Sequence, residues 1–436
     1  MRKFALFASL FVWSFLFGKA DEPIDYSLLE KREVNGEKIY FLKNEKEPYT
    51  GKSVELRDNG KRIFISYSQG KWAGPAIEYY PNGNKSYQDL YENGKMVFAK
   101  SWKPDGSICD VTQAIDGNGV VQTYHPNGKQ EWRAFFKNGL EDGLVTWWYE
   151  NGQKKAEVNY KDGKKDGLGT WWHVNGKKKE ESSYKAGEAD GITTHWQENG
   201  QMKKKSNYKN GKQHGLTIYW HENGQKSAEG NYLAGKKVGS HTWWYENGKK
   251  KAEDNYKAGE AYGIQTKWYE NGQMKEESNY KAGKIDGVLT RWYENGKKES
   301  EINYKDGKQN GLSTWWYENG KKKAEDNYKA GEAYGIQTQW YENGQIKGAA
   351  NYKNGKKEGS TTNWHQNGKK KAEGNYKAGK IDGLLTKWYE NGQIKEESNW
   401  KGGKPDGSSL IYDNTGQETL RQIWNLGTLV FQKNPE

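Results

Sequence analysis

The sequence predicts an all-β fold, an elongated single-layer array of β-hairpins with about 12 regular units of 24 residues and degenerate units at both ends. Asn-Gly dipeptides recur every 24 residues, twelve times, from Asn127-Gly128 to Asn391-Gly392. Asn-Gly between alternating apolar and polar residues indicates a hairpin, because both central residues of a type I′ turn need positive φ. Mean hydropathy is −1.20, yet 21 Trp and 30 Tyr argue against disorder. The fixed period indicates a solenoid that grows by stacking neighbouring units.

The N-terminus predicts a secretory signal peptide over residues 1–20. Met1-Arg2-Lys3 supplies positive charge, and the apolar run that follows is too short for a transmembrane helix. Small residues then precede the acidic start of the mature chain. An uncleaved anchor is the alternative. We therefore expect an exported protein in the periplasm, on the cell surface or secreted.

The rest of the chain divides into four segments by the regularity of the repeat. They are an N-terminal cap over 21–50, degenerate units over 51–127, regular units over 128–407 and a C-terminal capping hairpin over 408–436. In the degenerate segment the turn dipeptides Asn59-Gly60, Asn82-Gly83 and Asp105-Gly106 are spaced by 23 residues. A repeat sheet exposes edges at its ends, so atypical end units are expected.

Charge and cysteine content narrow the classes of partner. The formal net charge is +12, but Lys and Glu are interleaved, which indicates a solvated surface and no nucleic-acid partner. The single cysteine, Cys109, excludes an intramolecular disulfide framework. We favour a free thiol there over an intermolecular link.

A tryptophan stands four residues before the glycine in eleven of the twelve Asn-Gly pairs, in what we name the Trp ladder; Tyr124 holds this place in the first pair. Its members are Trp148, Trp172, Trp196, Trp220, Trp244, Trp268, Trp292, Trp316, Trp340, Trp364 and Trp388. A two-residue turn would place Trp148 opposite Lys155, and Trp147 opposite Ala156. The first pair would give cation–π contact and the second would pair a large side chain with a small one. The same register would place Lys267 opposite Glu276, which pairs opposite charges.

Alternation along a strand separates the two faces of each hairpin. Positions minus four, six and eight, counted from the glycine, carry Trp, Thr and mostly Leu or Ile, so we expect this face to be packed. The other face varies between units, which is typical of a scaffold with a tunable surface. The candidate binding residues on that variable face are Trp147, Trp171, Tyr219, Trp243, Arg291 and Trp315. The Trp ladder is expected to be structural.

The motif Tyr-Lys-x-Gly-Lys-x-x-Gly, followed by Trp-Tyr-Glu-Asn-Gly-Gln, resembles the MORN repeat family, and most closely its bacterial variant, MORN_2. The resemblance covers roughly residues 50–430. It implies a MORN-type solenoid and a relationship to YwqK-type antitoxins, which bind and neutralise a partner toxin. Other arrays of the family are attached to phosphatidylinositol phosphate kinases and membrane-associated scaffolds. The family offers no catalytic residues to transfer.

No arrangement of side chains in the sequence indicates catalysis, so we predict a protein that is not an enzyme and has no cofactor. Three histidines, His173, His221 and His365, stand where most units have Tyr, and we interpret them as aromatic substitutions and not metal ligands. The Gly residues close turns and match no phosphate-binding loop. No catalytic residue, metal ligand or cofactor-binding residue is therefore assigned.

Three classes of partner remain open. The first is a protein, whether a toxin, an envelope protein or a host protein, because Trp, Tyr and Arg are favoured in binding hot spots. The second is an anionic lipid or membrane surface, reached by lysines at the hairpin tips. Those lysines are Lys178-Lys179, Lys250-Lys251 and Lys370-Lys371. The third is a glycan, bound by the aromatic ladders. We favour the protein, in an antitoxin or adhesion role; the sequence leaves the oligomeric state open.

Overall fold

The computed structural model describes residues 22–34, 37–92 and 95–434. The predicted signal peptide therefore lies outside the described residues. The chain forms two compact units, residues 1–212 and 213–436. Each unit is built almost wholly of β-strands, which confirms the predicted all-β repeat fold. Within the described ranges, no helix is long and apolar enough to cross a membrane. The segment boundaries stay predictions.

The first unit contains nineteen strands and one short 3-10 helix, Tyr26–Leu28, among its described residues. The strands are β1 Ile24–Asp25, β2 Leu29–Val34, β3 Glu37–Leu42, β4 Gly51–Leu56, β5 Arg62–Ser68, β6 Lys71–Trp72, β7 Gly74–Tyr79, β8 Lys85–Glu92, β9 Lys95–Ser101, β10 Gln113–Ile115, β11 Asn118–Tyr124, β12 Gln130–Lys137, β13 Leu140–Glu141, β14 Gly143–Trp148, β15 Lys154–Lys161, β16 Lys164–Trp172, β17 Lys178–Lys185, β18 Glu188–Trp196 and β19 Met202–Lys209. From β4 onward the strands pair with their sequence neighbours, except that within the described residues the short β6 and β13 pair only with the preceding strand, which pairs with the following one as well. Strands β2 and β3 form a separate hairpin.

The second unit continues the same pattern with longer and more uniform strands. They are β20 Lys212–Trp220, β21 Lys226–Leu233, β22 Lys236–Trp244, β23 Lys250–Lys257, β24 Glu260–Trp268, β25 Met274–Lys281, β26 Lys284–Trp292, β27 Lys298–Lys305, β28 Lys308–Trp316, β29 Lys322–Lys329, β30 Glu332–Ala333, β31 Gly335–Trp340, β32 Ile346–Lys353, β33 Lys356–Trp364, β34 Lys370–Lys377, β35 Lys380–Trp388, β36 Ile394–Lys401, β37 Lys404–Tyr412, β38 Glu418–Asn425 and β39 Thr428–Lys433. Consecutive strands pair in antiparallel fashion, except that β30 and β31 both pair with β29.

Conventional hydrophobic packing is concentrated in the first unit. One cluster forms around Tyr40, Ile65 and Tyr67, where the β2–β3 hairpin meets β5. A second cluster forms around Met96 and Val121 on β9 and β11. Cys109 is buried and free, as predicted for the thiol. The two clusters of buried hydrophobic residues therefore belong to the irregular N-terminal segments.

The prediction of a type I′ turn at Asn-Gly is wrong. In the turn after β14, Gly152 has φ of 86°, but Asn151 does not have positive φ. The Gly152 N–H donates to the Tyr149 carbonyl at 2.8 Å and the Tyr149 N–H to the Gln153 carbonyl at 2.8 Å. These bonds define a three-residue loop that ends in a left-handed glycine.

Asparagine is required at this turn for its side chain and not for its backbone. The Asn151 Oδ1 accepts a hydrogen bond from the Gln153 N–H at 2.9 Å, within the same turn. The Asn151 Nδ2 donates to the Val174 carbonyl at 3.1 Å, in the turn of the next unit. The same inter-unit bond recurs along the array, for example from Asn271 to Glu294. Asparagine therefore both closes its own turn and joins it to the following one.

The type I′ turn occurs instead at the second reversal of each unit. Between β15 and β16, Asp162 and Gly163 have φ of 49° and 74°, and Lys161 pairs with Lys164. In six units the first of these two residues is alanine with φ of 48–52°, at Ala186, Ala234, Ala258, Ala282, Ala330 and Ala378. An alanine in this region is strained, because its Cβ approaches the backbone.

Relieving that strain should stabilise the fold. We expect Ala258→Gly to raise the free energy of unfolding by about 0.5–1 kcal/mol, since glycine adopts positive φ without the steric cost of Cβ. The matched control is Ala252→Gly on strand β23. It should lower the free energy of unfolding by a similar amount, because glycine within a strand is destabilising. Urea unfolding of the two variants measures both effects, and shifts of the same sign would contradict the explanation.

The three-residue loop changes one cross-strand pair and leaves the others as predicted. Trp148 pairs with Lys154 and not with Lys155, because the loop takes up one more residue than expected. A bulge then restores the register, so Trp147 faces Ala156 as predicted. The same correction applies at Trp244 with Lys250 and at Trp316 with Lys322.

The predicted assignment of the packed face is also wrong. We name the face with positions minus four, six and eight the ladder face, and the face with minus five, minus seven, plus four, plus six and plus eight the floor face. Leucine and isoleucine at minus eight are exposed, as Leu144 and Ile264 show, although Thr146 at minus six is buried. On the floor face, Val145 is 0% exposed and Val158 is 1% exposed. The variable face is thus the one with the more buried centre.

Candidate binding surface

The floor face of the second unit consists of three parallel rows of side chains. A central floor row runs through consecutive cross-strand pairs such as His241 with Asp254 and Ser313 with Asp326. A second row contains the variable minus-five residues, which face small or charged residues at plus four. A third row contains the aromatic residues at plus eight, for example Tyr328. Rings from the two outer rows flank a narrow strip of mostly small and polar side chains.

A cavity of about 760 Å³ in the second unit is lined mainly by residues of this face, and the ladder residues Trp244 and Trp268 also contribute. Tyr219, Trp243 and Lys267 from the variable row line it, together with His241 and Asp254 from the floor row. Residues of three consecutive hairpins contribute, so the cavity is a product of stacking and not of one hairpin. Its size and its combination of aromatic and charged groups suit the side chains of a ligand.

His241 lies in the floor row opposite a glycine, and its burial favours the neutral ring. A Cβ added to Gly230, its cross-strand partner, would lie 2.0 Å from His241 Nδ1, so only glycine leaves room for the ring. The Nε2 lies 2.9 Å from the Asn231 carbonyl, to which it donates. Burial lowers the pKa of His241 below its ordinary value, which favours the neutral imidazole.

An internal lysine covers the rings at the cavity. The Lys237 Nζ lies 5.2 Å from the centroid of the Trp243 ring and 4.6 Å from that of Tyr256. Both distances are within the range of cation–π attraction. The Tyr256 hydroxyl donates to Asp254 Oδ2 at 3.4 Å. Burial raises the pKa of Asp254, and the positive charges of Lys267 and Lys237 offset part of that rise.

Arg291, a predicted binding residue, belongs to an ion-pair group next to the cavity. Its Nε donates to Glu276 Oε2 at 2.9 Å, and Lys267 Nζ donates to Glu276 Oε1 at 2.9 Å. Burial raises the pKa of Glu276, but the two hydrogen bonds lower it by more than burial raises it. The pKa of Glu276 therefore lies below its ordinary value. The predicted pairing of Lys267 with Glu276 is therefore confirmed.

The six predicted binding residues do not form one site. Trp147 and Trp171 belong to the first unit, and the other four to the second. The aromatic ones are half-buried on the floor face, whereas Arg291 is exposed. Trp243 and Tyr219 line the same cavity, and Trp315 lies three units further along.

The Trp ladder is half-buried throughout and held by neighbouring units. In six repeats of the described part of the chain, a lysine two places after the turn glycine reaches the ladder ring of the next repeat. For example, Lys154 Nζ lies 5.9 Å from the Trp172 ring centroid and Lys250 Nζ lies 5.7 Å from that of Trp268. The lysine one place further covers the tyrosine of its own hairpin, as Lys155 does with Tyr149. The predicted cation–π contacts exist, but with other partners than the two-residue turn implied.

The residue at minus three forms a hydrogen bond between successive units. The Tyr149 hydroxyl donates to the Trp172 carbonyl at 2.8 Å. In units with histidine the ring replaces the phenol: His173 Nε2 lies 3.1 Å from the Trp196 carbonyl, and His365 Nε2 3.0 Å from that of Trp388. This supports the interpretation of these histidines as aromatic substitutions. In the residues that the structure covers, no group of His, Cys, Asp or Glu could hold a metal ion.

The sequence reasoning missed the floor row. Position plus six varies among Val, Ser, Gly, Asp, Ile and Ala, so it gave no periodic signal. Only the pairing of the strands shows that Asp254 and Asp326 occupy a buried row between aromatic rings. The one available signal was the repeated Asp in two units of identical sequence, 243–266 and 315–338.

These features define a β-hairpin repeat scaffold with an aromatic, partly charged surface. The chain belongs to the family described as the MORN repeat variant, whose model matches more than half of it. The matched residues are 73–93, 141–162, 165–186, 189–210, 213–234, 237–258, 261–282, 285–306, 309–330, 333–354, 357–378 and 381–401. No curated protein matches the sequence.

Some solved structures show a distant likeness. The crystal structure of TcdB2-TccC3 matches 89% of this chain and 28% of its own, at 10% identity and a TM-score of 0.15. The Photorhabdus luminescens Tc holotoxin pore matches 84% of this chain and 25% of its own, at 10% identity and a TM-score of 0.14. The chain thus spans about a quarter of those chains. TM-scores this low carry no inference.

Proposed function

We propose that this protein is an exported, non-catalytic repeat scaffold that binds a partner protein through the floor face of its second unit. The cavity of about 760 Å³ carries the proposal, because it presents Trp243 and Tyr219 beside charged groups. Tryptophan, tyrosine and arginine dominate the binding energy of protein interfaces. Export is proposed from the pattern of residues 1–20.

The surroundings of the tip lysines favour a protein over a lipid surface. Lys178 lies 2.5 Å from Glu181, Lys250 2.5 Å from Glu253 and Lys370 2.7 Å from Glu373. Lysine next to the turn donates to the following turn, as Lys249 does to the Asn271 carbonyl at 2.8 Å. Such lysines support their own sheet, and their charge is partly neutralised within it.

The rings at the cavity also favour a protein over a glycan. A sugar that stacks on an aromatic residue needs an open ring face, whereas Lys237 covers Trp243 and Tyr256. The family resemblance suggests a toxin as the partner, which would make this an antitoxin-like protein. An envelope or host protein, and hence an adhesion role, fits the predicted export as well. The identity of the retained protein would distinguish the two.

Affinity capture with residues 21–436 tests the proposal. Envelope and host-cell extracts are applied at low and high salt, and mass spectrometry identifies what is retained. We expect a discrete protein that survives high salt and whose affinity falls about tenfold or more in Trp243→Ala, because a buried aromatic hot spot is lost. Leu312→Ala, on the exposed ladder face, is the control and should leave binding unchanged.

Two further measurements test whether a change in capture reflects protein binding. A melting curve for each variant separates loss of binding from loss of fold. Retention of anionic liposomes alone, abolished at high salt, would contradict the protein-binding function and favour the lipid surface.

A further inference from the structure

Two 24-residue repeats, residues 243–266 and residues 315–338, have identical sequences, but the residues around them differ. Each contains a tryptophan, an aspartate and a tyrosine on the floor face. In the repeat at 243–266 these are Trp243, Asp254 and Tyr256, and Lys237, on the same strand as Trp243, lies over both rings. The protein itself thus shows which group this arrangement accepts. That group is the ammonium of a lysine side chain.

In the repeat at 315–338 the corresponding lysine is absent. The residue equivalent to Lys237 is Gln309, and the one equivalent to Lys267 is Gln339. Throughout the ranges that the structure describes, no cation lies over the ring of Trp315 or of Tyr328. The same three side chains are therefore present without the positive charge that accompanies them at Asp254.

Asp326 is correspondingly left without compensation. Its Oδ1 is buried and, like that of Asp254, has no hydrogen-bond partner within the described part of the chain. Asp254 differs because its other oxygen accepts from Tyr256 and because Lys237 and Lys267 lie near it. Burial is the cause that raises the pKa of Asp326, with no lysine nearby to offset it as at Asp254. Its negative charge adds to burial in raising the pKa of the Tyr328 and Tyr352 hydroxyls, which places both phenols close to the carboxylate.

A second unpartnered group lies next to this carboxylate. Ser313 is the cross-strand partner of Asp326 on the same face and is 0% exposed, and its Oγ has no hydrogen-bond partner in the described ranges. A buried acceptor without a donor costs stability unless a ligand supplies one. An ammonium has three N–H donors and so suits both oxygens.

We propose that Trp315, Asp326 and Tyr328 form a receptor for a primary ammonium group, which a lysine of the bound protein supplies. The ammonium takes the place that Lys237 occupies beside the repeat at 243–266. Its charge neutralises Asp326, its N–H groups donate to the carboxylate and to Ser313, and the two rings flank it. This inference rests on the proposed protein-binding function and names one side chain that the partner presents.

Tryptophan fluorine NMR of the intact chain, labelled with fluorotryptophan, tests the receptor without the partner. The Trp315 signal is assigned with Trp315→Phe. The probe is N-acetyl-lysine methylamide, and the neutral isostere N-acetyl-norleucine methylamide is its control, both at constant ionic strength. We expect a saturable shift of the Trp315 signal with the lysine probe and none with the norleucine compound.

The identical repeat at 243–266 provides matched control variants for the proposed receptor. Asp326→Asn should abolish the saturable shift, and so should Gln309→Lys, which installs the internal lysine of the other unit. Asp254→Asn should leave the Trp315 response unchanged. Lys237→Gln should create a second responsive signal at Trp243. Melting curves confirm that each variant is folded.

The outcomes that overturn the proposal are equally specific. An equal shift with the norleucine compound, or a response that persists in both Asp326→Asn and Gln309→Lys, would mean that no ammonium receptor exists there. A negative probe titration with successful protein capture would reject the receptor alone. Probe binding with failed capture would reject the proposed partner class and leave the receptor standing.

Discussion

Replacing Lys61 by methionine is expected to destabilise the first unit by about 3–5 kcal/mol, the cost of removing one partner from a buried ion pair. Lys61 is 0% exposed, and its Nζ lies 3.1 Å from Glu78 Oε1 and 2.5 Å from Glu131 Oε2. The same ammonium lies 5.1 Å from the Tyr80 ring centroid. Methionine would leave two carboxylates close together without their shared cation.

The repeat provides a matched control for this variant. Lys129 holds the same position in its own hairpin, one place after the turn glycine, but it is exposed and donates to the Asn151 carbonyl at 2.8 Å. Lys129→Met should therefore cost less than about 1 kcal/mol. Hydrogen–deuterium exchange in the intact protein measures the two effects locally, at β5 and β7 for Lys61→Met and at β11 and β12 for Lys129→Met. Equal losses of exchange protection in the two variants would show that the Lys61 ion pairs do not stabilise the first unit more than the exposed Lys129 does.

Replacing Asp89 by asparagine is expected to stabilise the first unit at pH 8 by about 2–4 kcal/mol. Asp89 lies in β8, is 4% exposed, and has one oxygen without a hydrogen-bond partner within the described ranges. Burial raises its pKa from 3.8 to about 7, although a hydrogen bond from Tyr87 lowers it slightly. Above that pKa the folded protein must bury a charge that the unfolded chain exposes to water.

The sign of the pH dependence follows from the proton count. Between about pH 4 and 7 the folded state keeps the Asp89 proton and the unfolded state has lost it, so this contribution to stability falls as pH rises. It is fully present below about pH 4 and lost above about pH 7. Asp89→Asn should remove that slope. The expected gain of 2–4 kcal/mol allows for a buried amide that lacks part of its hydrogen bonding.

Exchange protection of β8 as a function of pH tests this prediction. Asp105→Asn is a control of the opposite sign, because hydrogen bonds from Ser107 lower the pKa of Asp105, which therefore stabilises the fold above its unfolded pKa. An unchanged pH dependence in Asp89→Asn would show that another group is responsible for the slope.

The sequence predicted those contacts that depend on the period alone. Trp147 faces Ala156 and Lys267 faces Glu276 because both pairs lie beyond the bulge, where the expected register is restored. The pair nearest the turn, Trp148 with Lys155, failed because one additional loop residue shifts the register by one. The alternation of residues along a strand contains no information about that local adjustment.

The candidate site was predicted only in part. Trp243 and Tyr219 were identified from their variability on one face, and both line the cavity. Asp254 and Asp326 were missed, since an isolated acidic residue in a variable position resembles any solvated side chain. Their importance depends on rings that neighbouring strands place over the floor row.

The sequence by itself determined the repeat, the all-β fold and the order of the hairpins, because Asn-Gly turns and alternating strands are local properties of each 24-residue unit. The tertiary structure decided which face is buried, which turn is type I′, and which charges are compensated. Lys61 pairs with Glu131 of another hairpin, and Asp326 lies near Tyr352 of the next hairpin, and no period within one repeat specifies those neighbours.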